Sequence, residues 1–216
     1  MSLTINTNAA AVTASYNLSR NNAALQKSLS RLSSGKRIVQ TSDDAGGLAV
    51  SMKLNHSING LKGISTGISN GISVLQVMDG VLSSAGEIIS RIGELKSMYE
   101  DVTKNTADKS TYNAEATALL DQITSMATNS TFNGITLFDA SGTKTVNLDI
   151  DGTSTLAITD TDFSAATNIA AMITNKTDLS NAAHDPDKIS LALGEVAALR
   201  ATNGGEINRL QFALED

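Results

Sequence analysis

The sequence predicts a mainly α fold: an elongated antiparallel bundle of helical rods with an N-terminal coiled-coil helix, a β-hairpin and a small outer α/β or β lobe. Three observations carry this reading. Between Ser42 and Asp101 apolar residues return at Leu54, Ile58, Leu61, Ile64, Ile68, Ile72, Leu75, Met78, Leu82, Ala85, Ile89, Ile92 and Leu95. The steps of three and four average about 3.5, the period of a helix that keeps one seam against partner helices. At about 1.5 Å per residue such a helix extends on the order of 85 Å, more than a compact domain of 216 residues needs, so a rod fits better than a ball. Finally, the chain is 41% hydrophobic but only 3% aromatic, with no Trp and a single Pro, Pro186. That composition suits seams of Leu, Ile, Val and Ala rather than an aromatic-rich globular core.

In chain order, residues 9–34 form the first helix, with Ala11, Leu18, Leu25 and Leu32 at steps of seven and Leu29 between them. Asn22 interrupts the heptad on its inner face, where an amide fixes register at some cost in stability, and one such helix cannot bury its seam alone. SSGKRIVQTSDD breaks the periodicity, with Gly35 as helix end and Ser42 or Asp43 as the next cap. Asp43 and Asp44 complement the positive end of the long helix. A second stripe, Gly60, Gly63, Gly67 and Gly71, runs beside its seam, each glycine one residue before an apolar position. Each costs about 1 kcal/mol relative to alanine, so the stripe reads as a groove where backbones approach closely, and otherwise as a partly broken helix.

TKNTADKSTYN is polar and turn-prone, and a third helix follows with Ala114, Ala118, Leu119, Ile123 and Met126 on one face, packed antiparallel on the rod. TFNGITLF at 131–138 places Asn-Gly between β-branched and aromatic residues, a hairpin signal. TVNLDIDGTSTLAITDTDF alternates well enough for two strands around Asp151 and Gly152. From Ala140 to Asp185 the chain turns rich in Thr, Ser, Asn and Asp, which suggests a separate lobe or surface insert. Asp185 and Pro186 open the last helix as cap and first-turn proline. Its seam is Ile189, Leu193, Val196, Leu199, Ile207, Leu210 and Leu214, with Asn203 at the missed step. The expected division is a basic arm over 1–41, a rod core over 42–139 with 186–216, and a short outer lobe over 140–185.

Composition also excludes functions. Cysteine is absent, which removes disulfides, thiolate metal sites and a thiol nucleophile. No run of eighteen uninterrupted apolar residues and no secretory leader pattern is present, so neither membrane insertion nor the general secretion route is expected. Residues 1–40 carry Arg20, Lys27, Arg31, Lys36 and Arg37 and no acid, against a net charge of −6 for the whole chain. With Tyr16 as its one aromatic residue and no dense Lys/Arg run, this arm suits self-association better than nucleic acid. His56 and His184, flanked by polar residues and lacking a helical ligand pair, are expected on the solvated surface. Asp149, Asp151 and Gly152 suit a hairpin turn better than a calcium loop, whose glycine comes later and which a glutamate closes. Asp160 and Asp162 are expected as solvated carboxylates, and no phosphate-binding glycine loop occurs. The residues therefore point to no enzyme, no cofactor and no metal.

INTN at 5–8, LSRLSSGKRI at 29–38, SDDAGGLAVS at 42–51, NGL at 59–61, NGIS at 70–73, DGVL at 79–82, RIGEL at 91–95 and FNGITLFD at 132–139 follow one another in this sequence. In order and spacing they resemble the N-terminal region of bacterial flagellins, and RATNGGEINRL at 200–210 resembles the start of the flagellin C-terminal region. The resemblance implies a structural filament subunit for motility, extracellular, threaded unfolded through the flagellar type III export apparatus with its chaperone. It implies other flagellin subunits and junction and cap proteins as partners, and a further helix beyond the equivalent of Asp216 that pairs with the N-terminal one. Leu18, Leu25, Leu29, Leu32, Arg31, Lys36, Arg37, Asp43, Asp44, Gly60 and Gly71 are the expected contacts between subunits. By the same resemblance Arg91, Leu95 and Glu115 match the positions by which many flagellins are seen by a flagellin-sensing Toll-like receptor, with Gly93 in place of a usual arginine. Gly63, Gly67 and Asn203 also depart from the family pattern. The other readings are a hook-filament junction protein of related architecture and a soluble coiled-coil adaptor or nucleic-acid-binding rod.

Overall fold

The structure, a computed structural model, describes residues 8–138, 144–159 and 162–215. Residues 5–7 of INTN, Asp139, Asp160, Asp216 and the first residues of the expected lobe lie outside the described residues. Five α-helices dominate: α1 (Ala9–Ser34), α2 (Ala45–Tyr99), α3 (Thr106–Asn129), α4 (Thr167–Thr174) and α5 (Pro186–Glu215). Two small antiparallel hairpins join them, β1 (Thr131–Phe132) with β2 (Ile135–Thr136) and β3 (Lys144–Asn147) with β4 (Thr155–Ile158). The chain divides into two compact units, one ending at Asn59 and the other beginning at Gly60, so the boundary falls inside α2 and not at residue 41.

In the second unit the seam of α2 is buried along Ile68, Leu75, Met78, Leu82, Ala85, Ile89, Ile92 and Leu95. It shares one core with Ala116, Leu120, Ile123 and Ala127 of α3 and with Ile189, Ala192, Val196 and Leu210 of α5. The buried face of α3 is therefore rotated from the expected one: Ala114 and Ala118 are exposed, while Leu119 and Met126 lie at its margin. The register of α5 on α2 is antiparallel. Arg200 pairs with Asp79 at 2.8 Å, and the Asn203 side-chain amide donates to the Leu75 carbonyl at 3.3 Å. A Cβ on Gly93 would touch Ile189 and one on Gly86 would touch Val196, continuing the same register. Among the described residues α2 alone is long and apolar enough to cross a membrane, but its Ile68–Leu95 stripe is covered by α3 and α5.

Local chemistry explains where the elements start. Asn105 and Asp108 form a reciprocal capping box at α3: the Asn105 side chain accepts from the Asp108 N–H at 3.0 Å, and the Asp108 carboxylate accepts from the Asn105 N–H at 3.2 Å. The Asn133-Gly134 turn has φ of 50° and 81°, the left-handed pair that a two-residue hairpin requires. At the second hairpin the Asp149 carboxylate accepts from the Thr153 N–H at 3.0 Å, the Thr153 hydroxyl at 2.6 Å and the Ser154 N–H at 2.9 Å. The Thr153 hydroxyl and these backbone donors hold its pKa below the usual carboxylate range, so the residue organises a turn. Asp162 also organises a turn, accepting from the Ser164 N–H at 2.9 Å and so capping a 3-10 turn over Phe163–Ala165.

The expected outer lobe is corrected by burial. Leu156, Ile158, Phe163, Ile169, Met172 and Leu179 belong to the same core as the long helices, with the Phe163 ring edge-on to Phe138 at 4.9 Å. Acids of α5 hold the segment down. Glu195 accepts from the Asn168 N–H at 3.0 Å, the Asn168 side-chain amide at 2.7 Å and the Ile169 N–H at 3.3 Å, capping α4 where Ala166 cannot. The nearly buried Glu206 accepts from the Thr159 hydroxyl at 2.6 Å and the Thr159 N–H at 3.1 Å.

Candidate assembly interface

In the first unit α1 is well terminated yet uncovered. The Asn8 side chain accepts from the Ala10 and Ala11 N–H groups at 3.2 and 3.3 Å, and Gly35 ends the helix in the left-handed region at φ 65°. Between these caps no residue of α1 is buried. Leu18, Leu25, Leu29 and Leu32 are between 55% and 81% exposed, and Val12 and Tyr16 are exposed as well. On the part of α2 in the same unit, Val50, Met52, Leu54 and Ile58 are also exposed. Contiguous apolar stripes of this extent on a folded chain mark sites of protein association.

The polar residues of the connecting loop are spent on shaping it. Asp44, not Ser42 or Asp43, caps α2: its carboxylate accepts from the Gly47 N–H at 2.8 Å, and a Cβ on Gly47 would run into that carboxylate. Asp43 turns the other way, to Lys27 at 2.5 Å and Arg31 at 3.7 Å on α1, and accepts from the Val39 N–H at 3.4 Å. The Lys27 hydrogen bond is the main reason that the Asp43 carboxyl sits below its ordinary pKa. Arg37 reaches Asp44 at 3.4 Å, whereas Lys36 makes no ion pair among the described residues and stands exposed. Asp43, with a side chain only 7% exposed, is thus a tie within the first unit.

Two glycines expected between subunits act inside the chain. Gly71 is buried, and a Cβ there would lie 2.8 Å from Val146 of β3 and 3.3 Å from Leu210 of α5. At Gly60 a Cβ would lie 3.1 Å from Ile150 in the β3–β4 turn. The stripe therefore seats the hairpin on an unbroken helix, while Gly63 and Gly67 have no atom within 4 Å of a Cβ.

The expected receptor patch is only partly brought to the surface. Arg91 forks between Glu115 of α3 at 2.9 Å and Glu94 at 2.7 Å, and these carboxylates raise its pKa. Leu95 is fully buried in the core, because one turn along the helix from Arg91 is already the seam, so it offers no contact surface. His56 is exposed as expected, but His184 is completely buried, with its Nε2 3.0 Å from the Asn175 carbonyl oxygen. Lys96 is the other surprise. It is 2% exposed, and its ammonium donates to the Leu179 carbonyl at 2.9 Å and pairs with Glu100 at 2.9 Å and Asp185 at 3.2 Å. Burial opposes its charge, yet the two carboxylates outweigh it and raise the pKa. Neither burial carries a sequence signal beyond position: Lys96 directly follows a seam leucine, and His184 lies two residues before the helix-opening proline.

The family model for the bacterial flagellin N-terminal helical region matches residues 5–143. The chain is 30% identical to flagellin of Bacillus subtilis (strain 168), across 98% of this chain and 81% of that protein. It is 37% identical to the flagellar filament 33 kDa core protein of Treponema phagedenis over 62% of this chain and 46% of that one. With Escherichia coli (strain K12) flagellin it shares 31% identity over 73% of this chain and 32% of that one, so it spans less than half of these last two relatives. The crystal structure of Bacillus cereus flagellin superposes with a TM-score of 0.60 at 25% identity, covering 68% of this chain and 86% of that one. The exposed helical stripe thus lies in the matched helical region, and the chain belongs to the bacterial flagellin family, the structural subunits of flagellar filaments.

Proposed function

We propose that this structural protein of the extracellular flagellar filament joins its neighbours through the apolar stripe of α1 and the exposed start of α2. The observation that supports this is the absence of any buried residue along α1 beside a fully buried seam further along α2. Each exposed leucine gains about 1.5–3 kcal/mol on full burial, so four of them covered by a neighbouring copy supply a large association term. The exposed Lys36 and Arg37 rim this surface, while Asp43 and Asp44 fix the loop that presents it. The reading assigns the chain no catalysis, and its further partners are the export apparatus with its chaperone and the junction and cap proteins. Neither a junction protein nor a coiled-coil adaptor is needed to account for the surfaces.

The test is seeded assembly followed by electron microscopy. Wild-type chain is expected to add to flagellin filament seeds, and the Leu25→Glu/Leu29→Glu double variant is expected to stay monomeric with an unchanged urea midpoint. Equal incorporation of the variant would remove the α1 stripe from the interface. Recognition by the Toll-like receptor rests on the exposed Arg91–Glu115 pair alone. Arg91→Ala is therefore expected to weaken receptor activation, and an unchanged response would end that part of the proposal.

A further inference from the structure

The segment between α4 and α5 is a closed polar loop plugged into the ends of α2 and α3. Leu179 at its centre is fully buried, its N–H donates to the Asn113 side-chain oxygen of α3 at 2.9 Å, and its carbonyl accepts from Lys96 of α2 at 2.9 Å. Thr117 of α3 donates its hydroxyl to the Lys176 carbonyl at 2.8 Å, and Lys176 pairs with Asp121. His184 closes the loop, donating from Nε2 to the Asn175 carbonyl nine residues earlier. That bond fixes the neutral tautomer with its lone pair on Nδ1. Nδ1 is buried and, among the described residues, is the one buried side-chain polar atom without a hydrogen-bond partner.

From this geometry we propose that residues 175–185 form an acid-released latch, in which a proton on His184 Nδ1 frees the loop from α2 and α3 and uncovers Leu179. Protonation would create a buried N–H with no acceptor, a costly state. It would also set a second positive charge near the Lys96 ammonium. The carboxylates facing the site are already engaged: Asp178 accepts from the Ser180 N–H and hydroxyl at 2.8 Å each, and Asp185 and Glu100 hold Lys96. On the α3 side the charged group is Asp121, held by Lys176.

Burial accordingly pushes the His184 imidazole below its ordinary value of 6.5, the Asn175 carbonyl, Asp178 and Asp185 opposing and Lys96 assisting. The opened loop binds a proton near 6.5 and the closed loop does so only at lower pH. Opening is therefore favoured as pH falls below 6.5, and closure is fully restored above it.

Hydrogen exchange on the monomeric 216-residue chain tests this, corrected for the intrinsic pH dependence of exchange. Protection of residues 175–185 is expected to fall, by at most about tenfold, between pH 7.5 and 5.5, one unit below the open-state value. Protection along 75–89 of α2 is expected to hold, and His184→Gln, which can still donate to Asn175, is expected to abolish the response while His56→Gln keeps it. A loss that survives in His184→Gln overturns the proposal. So does an NMR titration of the wild-type chain in which the His184 ring takes up its proton by pH 5.5 with no loss of protection.

Discussion

The two units of this chain use the same heptad-like pattern for opposite ends. Around Ile68–Leu95 the apolar positions are buried by α3 and α5, and on α1 and the first turns of α2 equivalent positions remain exposed. Period and composition do not distinguish them. What differs is that the second unit supplies its own partners, in register, through Gly71, Gly86, Arg200 and Asn203, whereas no residue of α1 is buried. An amphipathic helix thus states that a partner is needed, and only the rest of the chain states whether that partner is internal.

The contrast breaks most visibly at single leucines. Leu120→Ala in α3 is expected to lower monomer stability by about 2–5 kcal/mol, the usual cost of a cavity in a packed core, as read by urea unfolding. Leu25→Ala in α1 is expected to leave that midpoint within about 0.5 kcal/mol and to show its effect only in filament formation. Equal losses from the two substitutions would mean that the units are not energetically distinct.

The glycine stripe gives a finer version of the same test. Gly71→Ala forces a methyl against Val146 and is expected to cost about 1–3 kcal/mol. Gly63→Ala meets open space and is expected to stabilise the monomer by up to about 1 kcal/mol through helix propensity. Thermal unfolding of the two variants should shift in opposite directions. A smaller effect, about 1 kcal/mol, is expected for Glu195→Ala, which removes the cap of α4, with lost amide protection at Asn168 and Ile169 as its marker. The smallest belongs to the first unit. The Asp43 tie to Lys27 lies below the ordinary carboxylate value of 3.8, so it is intact above that pH and lost as pH falls through the folded-state value. Asp43→Asn should expose the Val39 amide to exchange without moving the unfolding midpoint of the second unit.

Several element ends are legible from the sequence because their punctuation is local: Gly35 ends α1, the Asn133-Gly134 turn closes the first hairpin, and Pro186 opens α5. The seam of α2 was legible from its period. The burial of 144–159 and 162–185 was not, because it depends on Glu195 and Glu206, acids of α5 that look like solvated surface residues until the segment they cap is laid beside them. Gly60 and Gly71 do mark tight packing, but what approaches them is the side chains of Ile150 and Val146 of the second hairpin and not a neighbouring backbone. The face of α3 was missed by a fraction of a turn, since Ala114 and Ala118 are as apolar in sequence as Ala116 and Ala127. The helical period puts Leu95 on the seam while the family resemblance puts it in a surface patch, and its full burial decides for the seam.

The cap that Glu195 provides has a bearing on the order of events at the ribosome. Translation delivers Asn168 more than twenty residues before the acid that accepts from its backbone, and an eight-residue helix without a cap does not hold together alone in water. On the nascent chain α4 therefore stays unformed until α5 has emerged. The middle of this polypeptide is completed last, from its downstream side.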